Sequence, residues 1–282
     1  GNSANASVSA ARLGLKSALV SNIGEDAEGK ECLAVLEQEK VGTEYVTIHK
    51  NLKTNYHYVL WYEDERTILI KHQPFEYRLP DIGEPKWVYL SSLGESSLEF
   101  HGVIEKYLSD HPSIKLAFQP GTFQMKLGKD ALRGIYQRAD LFFCNKEESQ
   151  RILASDETDI NNLLRQMAEL GPKIVVITDG VKGAYAYDSS TALTTGGAKM
   201  WAMPTYPDPK PPLQRTGAGD AFSSTFTVAL ALGLSIPEAL RWAPINSMSV
   251  VQGIGARQGL LTRPQIEEYL SLAPAEYRPY SI

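Results

Sequence analysis

The segment Q-R-T-G-A-G-D-A-F, at 214–222, places a carboxylate directly after three small residues. The residues that follow are apolar at helical spacing, so we expect a helix that begins here. A helix N-terminus has unpaired N–H groups and a partial positive charge, and small side chains leave those donors open to an anion. Gly217, Ala218 and Gly219 would bind phosphate oxygens, and Asp220 would accept a proton from a hydroxyl group. Phosphoryl transfer requires these parts.

The same segment also has a plain structural interpretation. The glycines would allow a helix and a strand to pack closely, and Asp220 would be a first-turn acid that complements the helix dipole. The sequence contains no G-x-x-x-x-G-K-[ST] motif. G-A-G-D-A-F lacks the third glycine of a dinucleotide-binding fingerprint and follows a proline-rich stretch, 203–212, where that motif would follow a strand. A phosphate site of another kind and tight packing both remain open.

Strands and helices alternate along most of the chain, which predicts a mostly parallel sheet with crossover helices. Expected strands cover 16–24, 86–92, 113–120, 140–145 and 173–180, with a small antiparallel patch at 183–203. Expected helices cover 3–13, 27–40, 97–110, 129–139, 147–155, 160–170, 218–232, 236–251 and 264–272. Ligands of such sheets bind at the carboxyl ends of the strands.

Residues 45–72 have a different pattern. T-N-Y-H-Y-V-L-W-Y and R-T-I-L-I-K-H alternate aromatic or aliphatic residues with polar ones around the turn E-D-E-R. This alternation is typical of strands with two distinct faces, unlike the strands of a sheet that is covered on both sides. We therefore predict a hairpin here.

Composition limits the classes of partner. The chain has 282 residues, is 43% hydrophobic and 22% charged, and carries a net charge of −5. These values suit one large α/β domain and argue against nucleic-acid or anionic-membrane partners. No run approaches the roughly 18 apolar residues of a membrane span, and no signal peptide is visible.

Cysteine use and the first residues give two further expectations. Cys32 and Cys144 stand in apolar surroundings without a C-x-x-C pair, which predicts two buried thiols in a reducing cytosol. We therefore expect a cytoplasmic protein with neither a disulfide framework nor a zinc site. The sequence begins at Gly1 without a Met or a leading strand, so we expect that an N-terminal segment precedes it.

Several motifs together carry a resemblance to a known family. T-G-A-G-D-A-F at 216–222 resembles the C-terminal signature of the ribokinase/PfkB family of carbohydrate kinases. Residues 1–30 resemble the N-terminal signature, a glycine-rich opening with an Asn, a helix and an I-G-x-D-x-x-G loop. N-K-E-E at 145–148 matches N-x-x-E, T-D-G-V-K-G at 178–183 matches T-x-G-x-x-G, and 246–256 resembles the segment beside the adenine. The matches occur in the family's order and span almost the whole chain.

The resemblance implies a fold and a domain organisation. We expect a three-layer α/β/α sandwich in which residues 1–282 form one ribokinase-like kinase domain without its first strand. The hairpin at about 45–72 resembles the lid, a small sheet that closes over the sugar and excludes water. Lids of ribokinase-like proteins commonly pair in homodimers. The lid aromatics, Tyr56, Tyr58, Trp61 and Tyr62, could stack on substrate, pair with a second lid or form the sheet's inner face.

The resemblance also implies roles at the phosphate site. Asp220 would be the base that deprotonates the acceptor hydroxyl, and the N–H groups of residues 217–219 would form the anion hole. In the family, residues that correspond to Asn145 and Glu148 help to hold Mg²⁺, largely through water. A helix capping box would explain the same pair without a metal.

The nucleotide and cation roles follow from the other motifs. Thr178, Gly180 and Gly183 would face the phosphates of ATP, although an ordinary turn would use the same glycines. Asn246 and Gly255 would lie near the adenine, unless Asn246 is bonded to neighbouring backbone. Arg215 is unusual beside the anion hole, and we hypothesise that it contacts a phosphate. Gln214 replaces the acid that helps to form a monovalent-cation site in ribokinase-like proteins, which puts a K⁺ requirement in doubt.

On the substrate side, Asn5 resembles the sugar-contacting Asn of the first helix, Asn2 occupies a neighbouring substrate position, and Gly1 corresponds to the hinge glycine. Three functions remain open: an ATP-dependent kinase for the hydroxymethyl group of a ribose- or fructose-like sugar, an adenosine-type nucleoside kinase, and a catalytically silent module that binds sugar or nucleotide. The segment F-Q-P-G-T-F-Q-M-K-L-G, at 118–128, replaces the usual strand-end pattern, and the sequence does not assign it to a substrate.

Overall fold

The computed structural model describes residues 1–62, 65–71, 73–190 and 199–282. Its helices are α1 (Asn2–Arg12), α2 (Ala27–Gln38), α3 (Leu98–Asp110), α4 (Thr122–Leu127), α5 (Arg133–Arg138), α6 (Lys146–Leu153), α7 (Ile160–Glu169), α8 (Ala218–Ala231), α9 (Ile236–Val251) and α10 (Arg263–Ser271). Its strands are β1 (Ser21–Gly24), β2 (Val46–His49), β3 (Tyr56–Tyr62), β4 (Glu65–Lys71), β5 (Trp87–Leu90), β6 (Lys115–Phe118), β7 (Leu141–Asn145), β8 (Ile174–Thr178), β9 (Ala184–Asp188), β10 (Lys199–Met203) and β11 (Tyr280–Ser281).

The largest sheet has seven strands in the order β11-β10-β9-β8-β7-β6-β5. Strands β5 to β8 are parallel neighbours, and β9, β10 and β11 extend the sheet with antiparallel pairs. The carboxyl ends of the four parallel strands lie at one edge, so the segments that follow Leu90, Phe118, Asn145 and Thr178 meet there.

Helices cover both faces of this sheet, and its central parallel strands β6, β7 and β8 are accordingly apolar except at their ends. Along β7, Leu141 and Phe143 join a cluster with side chains of α8 and α9. Phe142 and Cys144, which alternate with them, join a second cluster with α3, α5 and α7. The alternation gives the three-layer α/β/α sandwich that the resemblance implies.

Helix α8 is buried over most of its length, from Asp220 to Ala229. It packs between α1 and α9, and the Ser235–Glu238 capping box begins α9. Within the described ranges, no helix is long and apolar enough to cross a membrane. The sequence-predicted boundaries of α8, α9 and α10 agree with the structure to within one residue.

The structure differs from the sequence-based expectations at a few places. Val46–His49 pairs in parallel with β1, so the antiparallel hairpin begins only at Tyr56. Helix α4 and strand β11 were not expected. Cys32 is exposed, so the expectation of two buried thiols is wrong for it, while Cys144 is buried as expected. Residues 63 and 64 of the predicted turn, and the side chains of Trp61 and Tyr62, lie outside the described part.

Candidate active site

The N-terminus of α8 is built on Gly217, whose φ of +85° lies in the left-handed region that favours glycine. A Cβ at this position would lie 2.5 Å from the Cβ of Ala256, so no side chain fits. Gly219 is different because a Cβ there would meet only the Nε2 of Gln119, at 3.8 Å. The first turn of α8 is therefore closed on the side of Gly217 and open beside Gly219.

Asp220 belongs to this first turn and is only 8% exposed. Its Oδ2 accepts a hydrogen bond of 2.8 Å from the Nδ2 of Asn5, and its Oδ1 lies 3.4 Å from the donor Nε2 of Gln119. Burial raises the pKa of Asp220, and the hydrogen bonds from Asn5 and Gln119 oppose this shift. Two amide donors from distant parts of the chain therefore fix the carboxylate.

A cleft of about 980 Å³ reaches α1, and neither Asp220 nor residues 217–219 are among the residues that line it. Gly1, Asn2 and Asn5, the substrate residues expected from the sequence, all line it. Because Asn5 both lines the cleft and bonds Asp220, the carboxylate lies directly behind the cleft wall. Aromatic rings form much of the remaining wall: Tyr56, Phe75, Tyr77, Phe100 and Phe123.

The I-G-x-D-x-x-G loop connects β1, α2 and the base of the hairpin. Asp26 accepts from the backbone N–H of Gly29 and Thr54 and from the Thr54 hydroxyl, the last at 2.5 Å. The same hydroxyl accepts from the N–H of Gly24 at 3.0 Å. A side chain on Gly24 would meet the backbone of residues 52–54, so the loop and the hairpin base are in direct contact. We call the Asp26–Thr54 contact the hinge latch, since Thr54 precedes β3 by two residues.

The two nucleotide motifs come together at the carboxyl edge of the sheet, where Asn145 of β7 pairs with Thr178 of β8. Asn145 caps α6: its Oδ1 accepts from the N–H of Glu148 and its own N–H donates to Glu148 Oε2, both at 2.8 Å. The capping-box interpretation is therefore present in the structure. Burial raises the pKa of Glu148, a shift opposed in part by this backbone hydrogen bond.

After β8 the chain forms a 3₁₀ turn at Gly180–Lys182. Gly180 (φ +53°) has open space around it. Gly183 (φ +97°) packs against the carbonyl of Met203, so a side chain there would collide with β10. Gly183 therefore has a structural reason to be glycine, whereas Gly180 leaves room for a ligand.

The other expected nucleotide residues have contrasting environments. Asn246 has no exposed surface; its Nδ2 donates to the hydroxyl of Thr225 at 2.7 Å, and its Oδ1 accepts from the N–H of Leu261 at 2.9 Å. Asn246 is therefore a core residue bonded to its neighbours, as the structural interpretation of this residue predicted. It has no exposed atoms that could contact an adenine. Arg215 and Gly255 are exposed.

Comparisons with known proteins identify the family of this chain. A family model described as "pfkB family carbohydrate kinase" matches residues 1–263. The chain belongs to the PfkB family of carbohydrate kinases. The ribokinase of Bacillus subtilis (strain 168) is 28% identical over 278 residues, which cover 96% of this chain and 87% of the relative.

A nucleoside kinase of Methanothermobacter thermautotrophicus is 25% identical over 264 residues, which cover 92% of this chain and 80% of the relative. The structure of Arabidopsis thaliana ribokinase complexed with ribose and ATP has a TM-score of 0.80 at 23% identity and covers 96% of this chain and 86% of that one. This likeness confirms the ribokinase-like fold. The protein is an ATP-dependent sugar kinase of the PfkB family.

Kinases of this family use ATP with Mg²⁺, and the Asn145–Glu148 pair of this PfkB kinase fits a hydrated Mg²⁺. Glu148 engages only Oε2 in the capping box, and Asn145 is exposed at the same edge. Among the described residues, no three His, Cys, Asp or Glu side chains gather into a metal cage. Mg²⁺ commonly keeps several waters and binds through one or two carboxylates and substrate phosphates, so a sparse site is appropriate.

Gln214 occupies a buried position shortly before the first turn of α8. Its Nε2 donates to the carbonyls of Thr216 (3.2 Å) and Gly253 (3.1 Å), and its Oε1 accepts from the N–H of Thr216 at 2.5 Å. The amide therefore ties the segment before α8 to the segment after α9.

Sequence reasoning missed three side chains of this site. Gln119 contacts Asp220, Tyr89 donates to Gln119, and Arg257 lines the cleft. The strand-end position of Gln119, directly after β6, was a usable signal because ligands gather at that edge. Tyr89 and Arg257 gave no comparable signal, since neither belongs to a motif.

Proposed function

We propose that the protein transfers the γ-phosphoryl group of ATP to a hydroxymethyl group of a ribose- or fructose-like sugar. Asp220 accepts the proton of that hydroxyl, and the N–H groups of residues 217–219 bind the transferred group. The observation that carries the proposal is the Asn5–Asp220 hydrogen bond, because it links a side chain of the cleft wall to a buried carboxylate in the first turn of α8, which is open beside Gly219.

The base acts mainly through its position. A carboxylate is a weak base, so it contributes most when it is held within reach of the hydroxyl and aligned with it. Asn5 and Gln119 hold its two oxygens separately, and each carboxylate oxygen retains capacity for a further hydrogen bond. As the alcohol oxygen bonds to phosphorus, its proton passes to Asp220 and ADP leaves.

The phosphate side of the site supports ATP as the donor. Gly180 and Gly219 leave open space at the same edge of the sheet, and Thr178 lies beside Asn145. In this proposal Asn145 and Glu148 hold water-bound Mg²⁺, which neutralises phosphate charge when bound. Gly255 would border the adenine. Arg215 would contact a phosphate; unchanged ATP affinity in Arg215→Ala would remove that role.

A nucleoside is the second candidate acceptor. The aromatic rings of the cleft, among them the stacked pair Tyr77–Phe100 at 5.4 Å between centroids, offer flat surfaces for a base. The nucleoside kinase relative is consistent with this acceptor. Sugar alone would leave most of the aromatic wall unused, so the two candidates differ in how they fill the cleft.

We further propose that turnover needs no K⁺. The Nε2 of Gln214 already donates to the carbonyls of Thr216 and Gly253, so both oxygens are satisfied by an amide and not by a cation. A monovalent cation at the same place would have to displace this amide.

A homodimer through the hairpin and a cytoplasmic location complete the proposal. Tyr58, Leu60 and Leu69, which share one face of the β3–β4 hairpin, are more than half exposed, and such apolar faces favour association. Two free cysteines suit a reducing compartment. Size-exclusion chromatography of Leu60→Glu against the native chain tests the dimer, which a native monomer would contradict.

An ADP-release assay coupled to a reporter enzyme tests the function. The panel contains ribose, fructose, phosphosugars and nucleosides, each with and without K⁺. Turnover with a free sugar supports the proposal, and turnover only with nucleosides selects the second candidate. Calorimetric binding of a sugar without any turnover would instead identify a catalytically silent binding module.

A further inference from the structure

Gln119 and Tyr89 form a chain of hydrogen bonds that ends at Asp220. The hydroxyl of Tyr89, on β5, donates to the Oε1 of Gln119, and the Nε2 of Gln119 donates to Asp220 Oδ1 at 3.4 Å. Ser223, one turn further along α8, lies close to the Tyr89 hydroxyl. The chain of hydrogen bonds runs from Tyr89 on β5 through Gln119, directly after β6, to Asp220 on α8.

The direction of every bond in this chain is fixed by its members. Burial raises the pKa of Tyr89 well above its usual value, so its hydroxyl stays protonated and donates. The ionised carboxylate of Asp220 only accepts hydrogen bonds, so the Nε2 of Gln119 must face it, and the Oε1 of the same amide is left to accept from the Tyr89 hydroxyl. The Tyr89 bond thus supports the amide in the orientation that donates to Asp220.

This arrangement rests on the proposed function, in which Asp220 is the base. We propose that Gln119, oriented by Tyr89, is a positioning residue that holds the Asp220 carboxylate in the orientation needed to deprotonate the acceptor hydroxyl. Asn5 restrains only Oδ2, so without Gln119 the carboxylate could rotate about its Cβ–Cγ bond. The segment 118–128, which the sequence left without a role, thereby gains one.

The pH dependence of turnover separates positioning from a purely structural role. Asp220 is faced by Tyr89 on β5 and by Glu148 on α6. The Gln119 bond favours the charged form of Asp220, so its removal raises the pKa of that carboxyl further. Since the base must be deprotonated, the acidic limb of kcat/KM should then move to higher pH.

Three variants test the proposal on the full chain. Gln119→Met keeps the side-chain length without the amide, Tyr89→Phe removes only the hydroxyl, and Gln119→Glu places a second carboxylate against Asp220. We expect kcat to fall about tenfold in Gln119→Met, the effect of one charge-assisted hydrogen bond, with little change in the KM for ATP. The acidic limb should shift upward by about one pH unit, less in Tyr89→Phe and more in Gln119→Glu.

Tyr107→Phe is the matched control, because it removes a hydroxyl that bonds the carbonyl of Gly83 far from the cleft. Melting temperatures over the same pH range show whether each variant is folded, and Tyr89→Phe keeps the test valid should Gln119→Met fail to fold. Suppose that Asp220→Asn is inactive while Tyr89→Phe and Gln119→Met keep the native kcat and the native acidic limb of kcat/KM. The positioning role of Gln119 is then refuted, whereas the role of Asp220 as the base is not. Near-normal turnover of Asp220→Asn refutes both.

Discussion

The Nδ2 of Asn5 donates a 2.8 Å hydrogen bond to the Oδ2 of Asp220 and joins two helices whose residues are 215 positions apart in the sequence. Asn5 was expected to contact the sugar. It does line the cleft, but one of its two amide hydrogens is already used by the carboxylate. Substrate binding and the orientation of the proposed base are therefore coupled through one side chain.

Asp220→Asn should lower kcat by about 10²- to 10⁴-fold, the usual contribution of a general base, with little change in ATP affinity. The variant should also be at least as stable as the native chain near neutral pH, because burial of a charge is removed. Steady-state kinetics, ATP titration calorimetry and thermal unfolding measure these effects. Asp110→Asn, which breaks only an exposed ion pair, is the control. Turnover close to native would contradict the assignment of the base.

Gly217→Ala should lower the stability of the fold, whereas Gly219→Ala should lower the activity. At Gly217 an added methyl group meets Ala256 in a left-handed backbone conformation, so the free energy of unfolding should fall by roughly 2–4 kcal/mol. At Gly219 a methyl group has room and the fold should persist, but the open first turn is partly covered, so kcat should fall. Denaturant unfolding and initial rates distinguish the two. Equal losses of stability would show that Gly219 serves packing only.

Much of the fold could be predicted from the sequence because its signals are local. Apolar periodicity located the parallel strands and the long helices, and Gly217 marked the start of α8 where only a glycine fits. The expected strands put Asn145 and Thr178 at strand ends, and the structure adds that these two strands are neighbours in which the two residues are paired.

What the sequence missed depends on contacts between distant segments. Asn246 matched a motif, yet its surroundings make it a core residue, since both of its amide atoms find partners on α8 and before α10. Gln119 and Tyr89 act only in combination with Asp220, and no spacing rule relates the three positions. The exposure of Cys32 likewise depends on the face that α2 turns to the cleft.

The hinge latch predicts that Thr54→Val and Thr54→Ser differ in their kinetics. Valine has the shape of threonine without the hydroxyl, so it loses the hydroxyl's bonds to Asp26 and to the N–H of Gly24 and keeps the backbone bond to Asp26, whereas serine retains all three. We expect Thr54→Val to raise the KM for the sugar severalfold and to increase ATP hydrolysis without sugar, because the hairpin excludes water less well. The KM for ATP should change little. Identical kinetics in both variants would show that the latch does not affect the lid.

The same latch predicts a pH dependence of stability. Hydrogen bonds from the hydroxyl and backbone of Thr54 lower the pKa of Asp26 below its usual 3.8. A lowered pKa contributes stability above pH 3.8, and this contribution is lost as the pH falls through the lower value of the folded state. Asp26→Asn should therefore be less stable than the native chain at pH 6, and the difference should shrink below pH 3.8. A constant difference, measured by urea unfolding, would exclude this origin.

Gln214→Glu should make turnover depend on monovalent cations. The new carboxylate would face the carbonyl oxygens of Thr216 and Gly253. These three groups repel one another, and a bound cation would offset the repulsion. The native chain should be equally active when tetramethylammonium replaces K⁺ at constant ionic strength, whereas the variant should lose activity severalfold without K⁺. A large loss in the native chain would contradict the role given to the Gln214 amide.

The path of the chain through the site has a consequence for its synthesis. Asn5 leaves the ribosome early, but its partner on α8 is made only after the whole parallel part of the sheet. A nascent chain can therefore bury much of its sheet while its first helix still lacks α8, against which it packs. Premature termination anywhere before α8 would yield products that lack the proposed base, the helix against which α1 packs, and the part of the cleft wall formed by Ala256 and Arg257.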